Sequence, residues 1–295
     1  MMMMKKELVL FTAAMCAAGI LTGCGASGQN GGAAATEGTE SSTTVTAETQ
    51  ESQNSDAAQA GEVMSRIQSE GVIKIGTEGT YSPNSYHDES GKLVGFDVEV
   101  GEKVAEKLGV KAEFVETKWD SLFASLDSGR IDIITNEVEA SEERGLKYDF
   151  SEPYTYVHGA LLVTGDNEEI KTFEDLQGKK AAQNLTSSWG ALAESFGAEL
   201  VGVESMNQSV ELMLTGRADA TVNAETAFYD FMKNQPDQDV KIAAKTDTTT
   251  SSVIPVVKGN EDLVEAVNMA LDEMRESGEL AELSEKYFVA DVTSK

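Results

Sequence analysis

Two histidines, His87 and His158, and two cysteines, Cys16 and Cys24, are all that the chain offers for nucleophilic or soft-metal chemistry. That leaves little material for a Ser-His-Asp or Cys-His nucleophile and removes a His-rich metal site. Both cysteines fall within the first 24 residues, so they build neither a disulfide framework nor a structural zinc site in the folded part. The acids offer no pair whose pKa values can be argued apart, so no catalytic residue, metal ligand or cofactor is assigned. What remains is recognition chemistry. Ser187 and Ser188 stand at the predicted start of a helix, where free N–H groups and the dipole favour an anion. Plain N-capping explains the same serines, and the two roles are compatible. The chain carries 51 Asp and Glu against 23 Lys and Arg, a formal charge of −28 over 295 residues. A nucleic-acid partner is excluded on that ground, because phosphate neutralisation needs clustered bases. The acidity otherwise serves solubility.

Lys5 and Lys6 precede an apolar run from Leu8 to Leu21. This run is shorter than the roughly 20 residues a bilayer span needs, and it reads as a signal peptide over 1–23. It ends in Leu21-Thr22-Gly23-Cys24, which resembles the lipobox of bacterial lipoproteins and makes Cys24 the expected lipidation site. From there to Gly61 the chain is mostly Gly, Ala, Ser, Thr, Gln and Glu, with no aromatic, proline, Lys or Arg. Such a stretch cannot offset its ordering entropy and is expected to be a disordered tether over 24–61. As a flexible coil it would span about 30 to 37 Å. The expected location is the extracytoplasmic face of the cell membrane, reached through the lipid anchor only.

Beyond Gly61, β-branched runs alternate with amphipathic segments, the pattern of βαβ units and a largely parallel sheet. Strands are predicted at Val72–Ile75, Ala112–Val115, Ile131–Ile134, Gly159–Val163, Lys180–Gln183 and Val240–Ala244. Helices are predicted over Val98–Leu108, around Leu122 to Leu126, from about Ser188 to Phe196, along the Leu263–Met274 stripe and over Leu280–Phe288. Thr172-Phe173-Glu174-Asp175 has the form of a capping box. Gly129-Arg130-Ile131-Asp132 returns 87 residues later as Gly216-Arg217-Ala218-Asp219, each closing a helix and opening a strand. Two similar lobes follow, with a second crossing along Ser252–Val257; two independent α/β domains in series remain the alternative.

Gly95-Phe96-Asp97-Val98-Glu99-Val100, with Val104-Ala105 and Leu108, resembles the signature of the family 3 extracellular solute-binding proteins, which deliver polar amino acids to ABC importers. Trp119-Asp120-Ser121-Leu122, Glu143-Arg144, Asp149-Phe150-Ser151-Glu152-Pro153-Tyr154 and Leu283-Ser284-Glu285-Lys286-Tyr287-Phe288 also look like family positions. Ile131 to Val138, Lys147 to Tyr154 and Ala290 to Thr293 look closest to the cystine-binding branch. The resemblance covers about Val63 to Thr293. It implies an α/β, two-lobe periplasmic-binding-protein-like fold of type II, with two hinge crossings and a ligand cleft. Lobe 1 would be 62–160 plus 253–295, and lobe 2 would be 161–252. The implied protein is a monomer that captures a small polar amino acid, L-cystine first among them, and presents it to an ABC permease.

The resemblance also implies the roles of individual residues. Arg144 matches the arginine that holds the ligand carboxylate, a task suited to a planar two-pronged donor. Ser187 and Ser188 match positions that grip the same carboxylate from lobe 2. Glu78 and Tyr81 match the side-chain pocket and its aromatic platform, and Trp119 matches another wall. Asn136, Glu137 and Val138 lie on a loop where the family uses mainly backbone groups.

Two positions depart from the family pattern. Its ammonium-binding aspartate aligns with Ala224, and its ammonium-contacting Thr or Ser aligns with Glu139. A buried ammonium without an acidic partner is costly, so Glu139, with Glu225, is the expected replacement. The alternatives are a solvated Glu139, a ligand that is not an ordinary α-amino acid, or a dehydratase-like enzyme on the same fold. A signalling ectodomain is disfavoured, because no second long apolar run would link it to a cytoplasmic module.

Overall fold

The computed structural model describes residues 61–288 and 290–294. The expected signal peptide, Cys24 and the tether up to residue 60 lie outside the described residues.

The described chain opens with helix α1 (Glu62–Glu70) and strand β1 (Val72–Thr77). Strand β1 is the middle strand of a parallel sheet, between β5 (Lys111–Glu116) and β6 (Ile133–Ile134), with Ile75 opposite Phe114 on one side and Ile133 on the other. A small antiparallel sheet, β2 (Thr80–Tyr81), β3 (Ser85–His87) and β4 (Leu93–Val94), interrupts the βαβ rhythm before α2 (Phe96–Lys107). Gly95 makes that junction possible. Its φ is 136°, and a Cβ there would stand 2.2 Å from the Asn84 carbonyl oxygen. The close approach lets Phe96 and Asp97 donate their N–H groups to Pro83 and Asn84. It also buries the Asp97 side chain, whose carboxylate accepts the Tyr154 hydroxyl at 2.7 Å.

Helix α3 (Trp119–Asp127), the short α4 (Glu142–Gly145) and strand β7 (Tyr148–Phe150) complete the first pass. Their buried side chains form two clusters. One joins Ile67, Ile75, Phe96 and Val104 to Ile254, Leu263, Leu271 and Met274; the other gathers Leu122, Leu126, Ile134, Val138 and Tyr148. Apolar residues from both ends of the described chain therefore share one core, which holds roughly 25 cal/mol for each Å² of apolar surface taken from water.

Strand β8 (Thr155–Thr164) carries the chain into a second lobe. There follow a 3₁₀ turn (Phe173–Leu176), β9 (Lys180–Gln183), α5 (Ser188–Ser195), β10 (Glu199–Gly202), α6 (Met206–Leu214), β11 (Thr221–Ala224) and α7 (Glu225–Asn234). The Thr172 capping box is present, closed by Asp175. The second lobe has its own cores, around Leu161, Val163, Phe173 and Val222, and around Leu162, Val210, Met213 and Phe228. Strand β12 (Val240–Ser252) returns beside β8, and β13 (Pro255–Val257), α8 (Glu261–Ser277) and α9 (Glu279–Phe288) rejoin the first core.

The Gly-Arg-x-Asp echo is a repeated hydrogen-bonding device. Asp132 donates its N–H to the Lys74 carbonyl and accepts the Lys74 N–H on its carboxylate, each at 2.8 Å. Asp219 makes the same exchange with Lys180, again at 2.8 Å. Each Asp side chain thus replaces one rung of the ladder, and β6 begins at Ile133 rather than at Ile131 as expected. The largely parallel sheet holds for β5-β1-β6 and β10-β9, but β11-β8-β12 is antiparallel. A strand that leaves a lobe and one that returns must run in opposite senses. Strand β12 also outruns its expected end at Ala244. Its Thr- and Ser-rich second half lacks an apolar alternation, yet it pairs with β8 through Ser252 opposite Thr155.

Candidate functional site

Loops at the ends of β1, β6, β9 and β11 converge between the two lobes. The inner cavity there encloses about 650 Å³ including its mouth. Glu78, Tyr81, Trp119, Asn136 and Glu137 line it from one lobe, and Ser187, Ser188, Trp189, Met206 and Asn223 from the other. The size suits a small ligand. Its acidic residues are Glu78, Glu137 and Glu204, and no basic side chain is among its lining residues. The outer part of the cleft shares Trp119, Ser187 and Ser188 with it and adds Arg144, Glu139 and Phe123.

Arg144 is set at the mouth by the first turn of α4, where the Ser141 hydroxyl accepts the Arg144 N–H. Its guanidinium lies 5.4 Å from the Trp119 ring centre and 5.0 Å from that of Phe123. It donates to the Glu139 carbonyl at 2.7 Å and reaches the Thr186 carbonyl of the other lobe at 3.4 Å. Burial pushes the guanidinium below its usual pKa, opposed by the charge of Glu139. Of five N–H donors, this leaves some to meet an anion in the cleft. Opposite, Ser187 caps α5: its hydroxyl donates to the Asn184 carbonyl at 2.8 Å and accepts the Gly190 N–H at 3.0 Å. The anion-binding potential of this pair therefore sits in first-turn N–H groups and the Ser188 hydroxyl, with the Ser187 hydroxyl occupied by the cap.

The inner wall is a chain of polar contacts. Asn136 accepts the Glu78 N–H at 2.9 Å and donates to the Glu78 carboxylate at 2.9 Å. Burial raises the pKa of Glu78, against the hydrogen bond from Asn136. Glu137 sits at φ 49°, in the left-handed region, which turns its side chain toward Tyr81. Tyr81 Oη is hydrogen-bonded to the Glu137 carboxyl and lies 2.7 Å from Asn223 Oδ1 across the cleft. Burial pushes the Glu137 carboxyl up to about 8, against the Tyr81 hydrogen bond and helped by the charges of Asp97 and Glu139. Tyr81 is itself pushed well above the usual phenol value, first by burial and then by Glu137.

Nine of the eleven expected ligand residues therefore line the inner or outer cleft. Val138 and Glu225 are not among the lining residues. Val138 is fully buried in the core with Leu122 and Tyr148. Glu225 is ion-paired with Lys245 at 2.9 Å. Ala224, at the first departure, is wholly buried beside Val157 and Ala227. Asn223, Trp189 and Met206 were not expected. Asn223 and Trp189 flank motifs already singled out, and their cleft-facing register was the usable signal; nothing in the sequence around Met206 marks it. Among the described residues, no group of three His, Cys, Asp or Glu side chains could hold a metal ion. No described helix is long and apolar enough to cross a membrane.

Residues 73–290 match the bacterial extracellular solute-binding proteins, family 3. The chain is 42% identical over 236 residues to a probable amino-acid ABC transporter-binding protein of Haemophilus influenzae, covering 80% of this chain and 92% of that one. It is 42% identical over 239 residues to the L-cystine-binding protein TcyA of Bacillus subtilis, covering 81% and 89%. Among solved structures, the L-cystine solute receptor of Neisseria gonorrhoeae in its unliganded open conformation is 44% identical, with 79% of this chain and 99% of that one covered and a TM-score of 0.56. With the two lobes, the antiparallel crossings and the cleft between them, the chain belongs to family 3 of the bacterial extracellular solute-binding proteins.

Proposed function

We propose that the protein is the extracytoplasmic substrate-binding component of an ABC importer, that it closes its two lobes around a polar amino acid, and that it delivers this ligand to the permease. The observation that carries this reading is the opposition of Arg144 to Ser187 and Ser188 across the outer cleft, in front of an inner cavity lined by acids. A zwitterion fits that polarity, with its carboxylate on Arg144 and the α5 N-terminus and its cationic end inward. Tyr81 and Trp119 serve as walls, Glu78 and Asn136 face the ligand side chain, and Glu139 stands beside the carboxylate site. L-Cystine is the first candidate, supported by the name and the similarity of TcyA. Lobe 1 comprises 62–160 plus 253–295 and lobe 2 comprises 161–252, with the hinge where β8 and β12 run side by side. Cys24 anchors the protein to the outer face of the cell membrane as a monomer on an acidic tether.

The test is a thermal-shift and calorimetric screen of the form beginning at Gly61, refolded to remove carried ligand, against the common L-amino acids, L-cystine and ornithine. Binding to the native state alone contributes about 2.7 kcal/mol at a hundredfold excess over Kd, a shift of a few degrees. A selective shift with L-cystine is the expected result; silence from all amino acids overturns the reading. For the anchor, Cys24→Ala is expected to move the protein from the membrane fraction into the medium or periplasm.

A further inference from the structure

Tyr81 has one hydroxyl proton and two oxygen neighbours, one from Glu137 and one from Asn223. Asn223 Oδ1 also accepts the Ala224 N–H at 2.8 Å, which fixes the amide with its oxygen toward Tyr81. If Glu137 were ionised, both neighbours of the Tyr81 oxygen would be acceptors, and one contact would lack a proton. A proton on Glu137 completes the chain: Glu137 donates to Tyr81, and Tyr81 donates to Asn223. Because Tyr81 and Asn223 belong to opposite lobes, that chain also links the two lobes.

Among the described residues, the groups that act on Glu137 include no cation. Asn84 donates to its Oε2 at 3.3 Å from the turn before β3. Asp97 on α2 and Tyr154 lie behind it, joined to each other at 2.7 Å, with Glu139 on the same loop. Glu78, across Asn136, is a further acid. The other acids near the ligand space are engaged elsewhere. Glu204 is paired with Lys118, Glu78 with the Asn136 amide, and Glu139 faces the outer cleft beside Arg144.

We propose that Glu137 is the counter-ion for the cationic nitrogen of the ligand, and that it must release its proton to solvent to take up that role. The exchange is balanced. The neutral carboxyl and the ligand ammonium give an ion pair plus one proton passed to buffer, and Tyr81 then donates to the new carboxylate instead of to Asn223. Burial, which holds the free carboxyl protonated up to about pH 8, supports the same assignment. An opposite charge within a few ångströms favours the ionised form, so the bound state titrates lower than the free state. Affinity must then rise with pH between the two values, by about tenfold per unit for one released proton. The inference rests on the amino-acid reading above.

The experiment is calorimetry of the refolded protein with L-arginine and L-cystine between about pH 6 and 7, in phosphate and in imidazole, whose ionisation heats differ. Wild type is expected to release about one proton and to gain roughly tenfold in affinity per pH unit. Glu137→Gln keeps a donor toward Tyr81 and so preserves the fold and the link. It is expected to bind at least tenfold more weakly, with no proton release and no pH slope. Glu139→Gln is expected to keep the proton release. Binding that is independent of buffer and pH, or release that survives in Glu137→Gln, overturns the inference and leaves the transport reading standing. Release lost in Glu139→Gln but kept in Glu137→Gln transfers the role to Glu139 and overturns it too. Binding of neither probe, nor of any other amino acid in the screen, overturns both.

Discussion

Lys118 reaches across the cleft from the residue before α3 and places its ammonium 2.8 Å from both carboxylate oxygens of Glu204 on the other lobe. Both side chains are more than half exposed, at 69% and 61%. Side-chain contacts of Tyr81 to Asn223, of Ser82 to Asp230 and of Thr186 to Asp120 also join the two lobes. An exposed pair contributes about 0–1 kcal/mol and weakens with salt. Lys118→Ala is therefore expected to change unfolding free energy by less than about 1 kcal/mol. It should nevertheless shift the ligand-free ensemble toward open shapes, more at low salt than at high salt. Small-angle X-ray scattering at two ionic strengths checks this, and an unchanged radius of gyration would contradict it.

Arg144 has a different weight, because its guanidinium is partly withdrawn from water and lies over the Trp119 and Phe123 rings. Removing one partner of a desolvated charge pair costs about 2–5 kcal/mol, at least about 30-fold in Kd. Arg144→Ala is expected to weaken amino-acid binding by that much. Arg144→Lys should recover only part of it, since an ammonium is a point charge without the planar fork. Titration calorimetry reads both, and equal affinities for Lys and Arg would remove the bidentate argument.

The two Asp rungs are alike in hydrogen bonding and unlike in burial. Asp132 is 4% exposed and also meets Arg66, whereas Asp219 lies on the surface. Charge-assisted bonds in protected settings contribute about 1.5–3 kcal/mol, and exposed ones nearer 0.5–1.5 kcal/mol. Asp132→Ala is thus expected to lower the urea midpoint clearly more than Asp219→Ala. The reverse order would mean that the echo is held by contacts other than these carboxylates.

Asp97 supplies a pH test that needs no ligand. Burial raises its carboxyl to about 7, against hydrogen bonds from Tyr154 and the Glu137 amide. A folded-state value above the unfolded one means that the native state binds the extra proton. The stability from this group is complete below about pH 4 and is lost as pH rises to about 7, beyond which the curve is level. The difference in unfolding free energy between wild type and Asp97→Asn should therefore drift across that window, with wild type losing ground as pH rises. A constant difference would show that Asp97 is ionised throughout.

Much of the path to these residues was legible in the chain. The Val100-Val104-Leu108 stripe and the long α8 stripe have periodicities that burial on one face explains, and they fold as helices; the short run at Lys180–Gln183 folds as a strand buried on both faces. Arg144, Tyr81 and Ser187 were identified by local motifs whose backbone setting travels with them, such as the N-cap at Ser187. Strand β12 was only half visible, because a Thr-rich run acquires its strand character from pairing with β8. The same limit applies to Glu225. Its motif neighbours suggested a cleft acid, but Lys245, 20 residues later, claims the carboxylate.

The sequence by itself determined the family, the two-lobe plan and the arginine that lines the outer cleft, because these depend on local patterns and on motifs contiguous in the chain. Only the tertiary structure decided which acids stand in the inner cavity and what each of them meets there. Glu78, Glu137, Glu139 and Glu225 are equivalent as letters. They differ in what reaches them from elsewhere: an Asn136 amide, a Tyr81 hydroxyl shared with Asn223, an adjacent Arg144, a Lys245 ammonium. Charge and protonation at a carboxylate follow from desolvation and from neighbours brought together by folding, and neither is written at the residue itself.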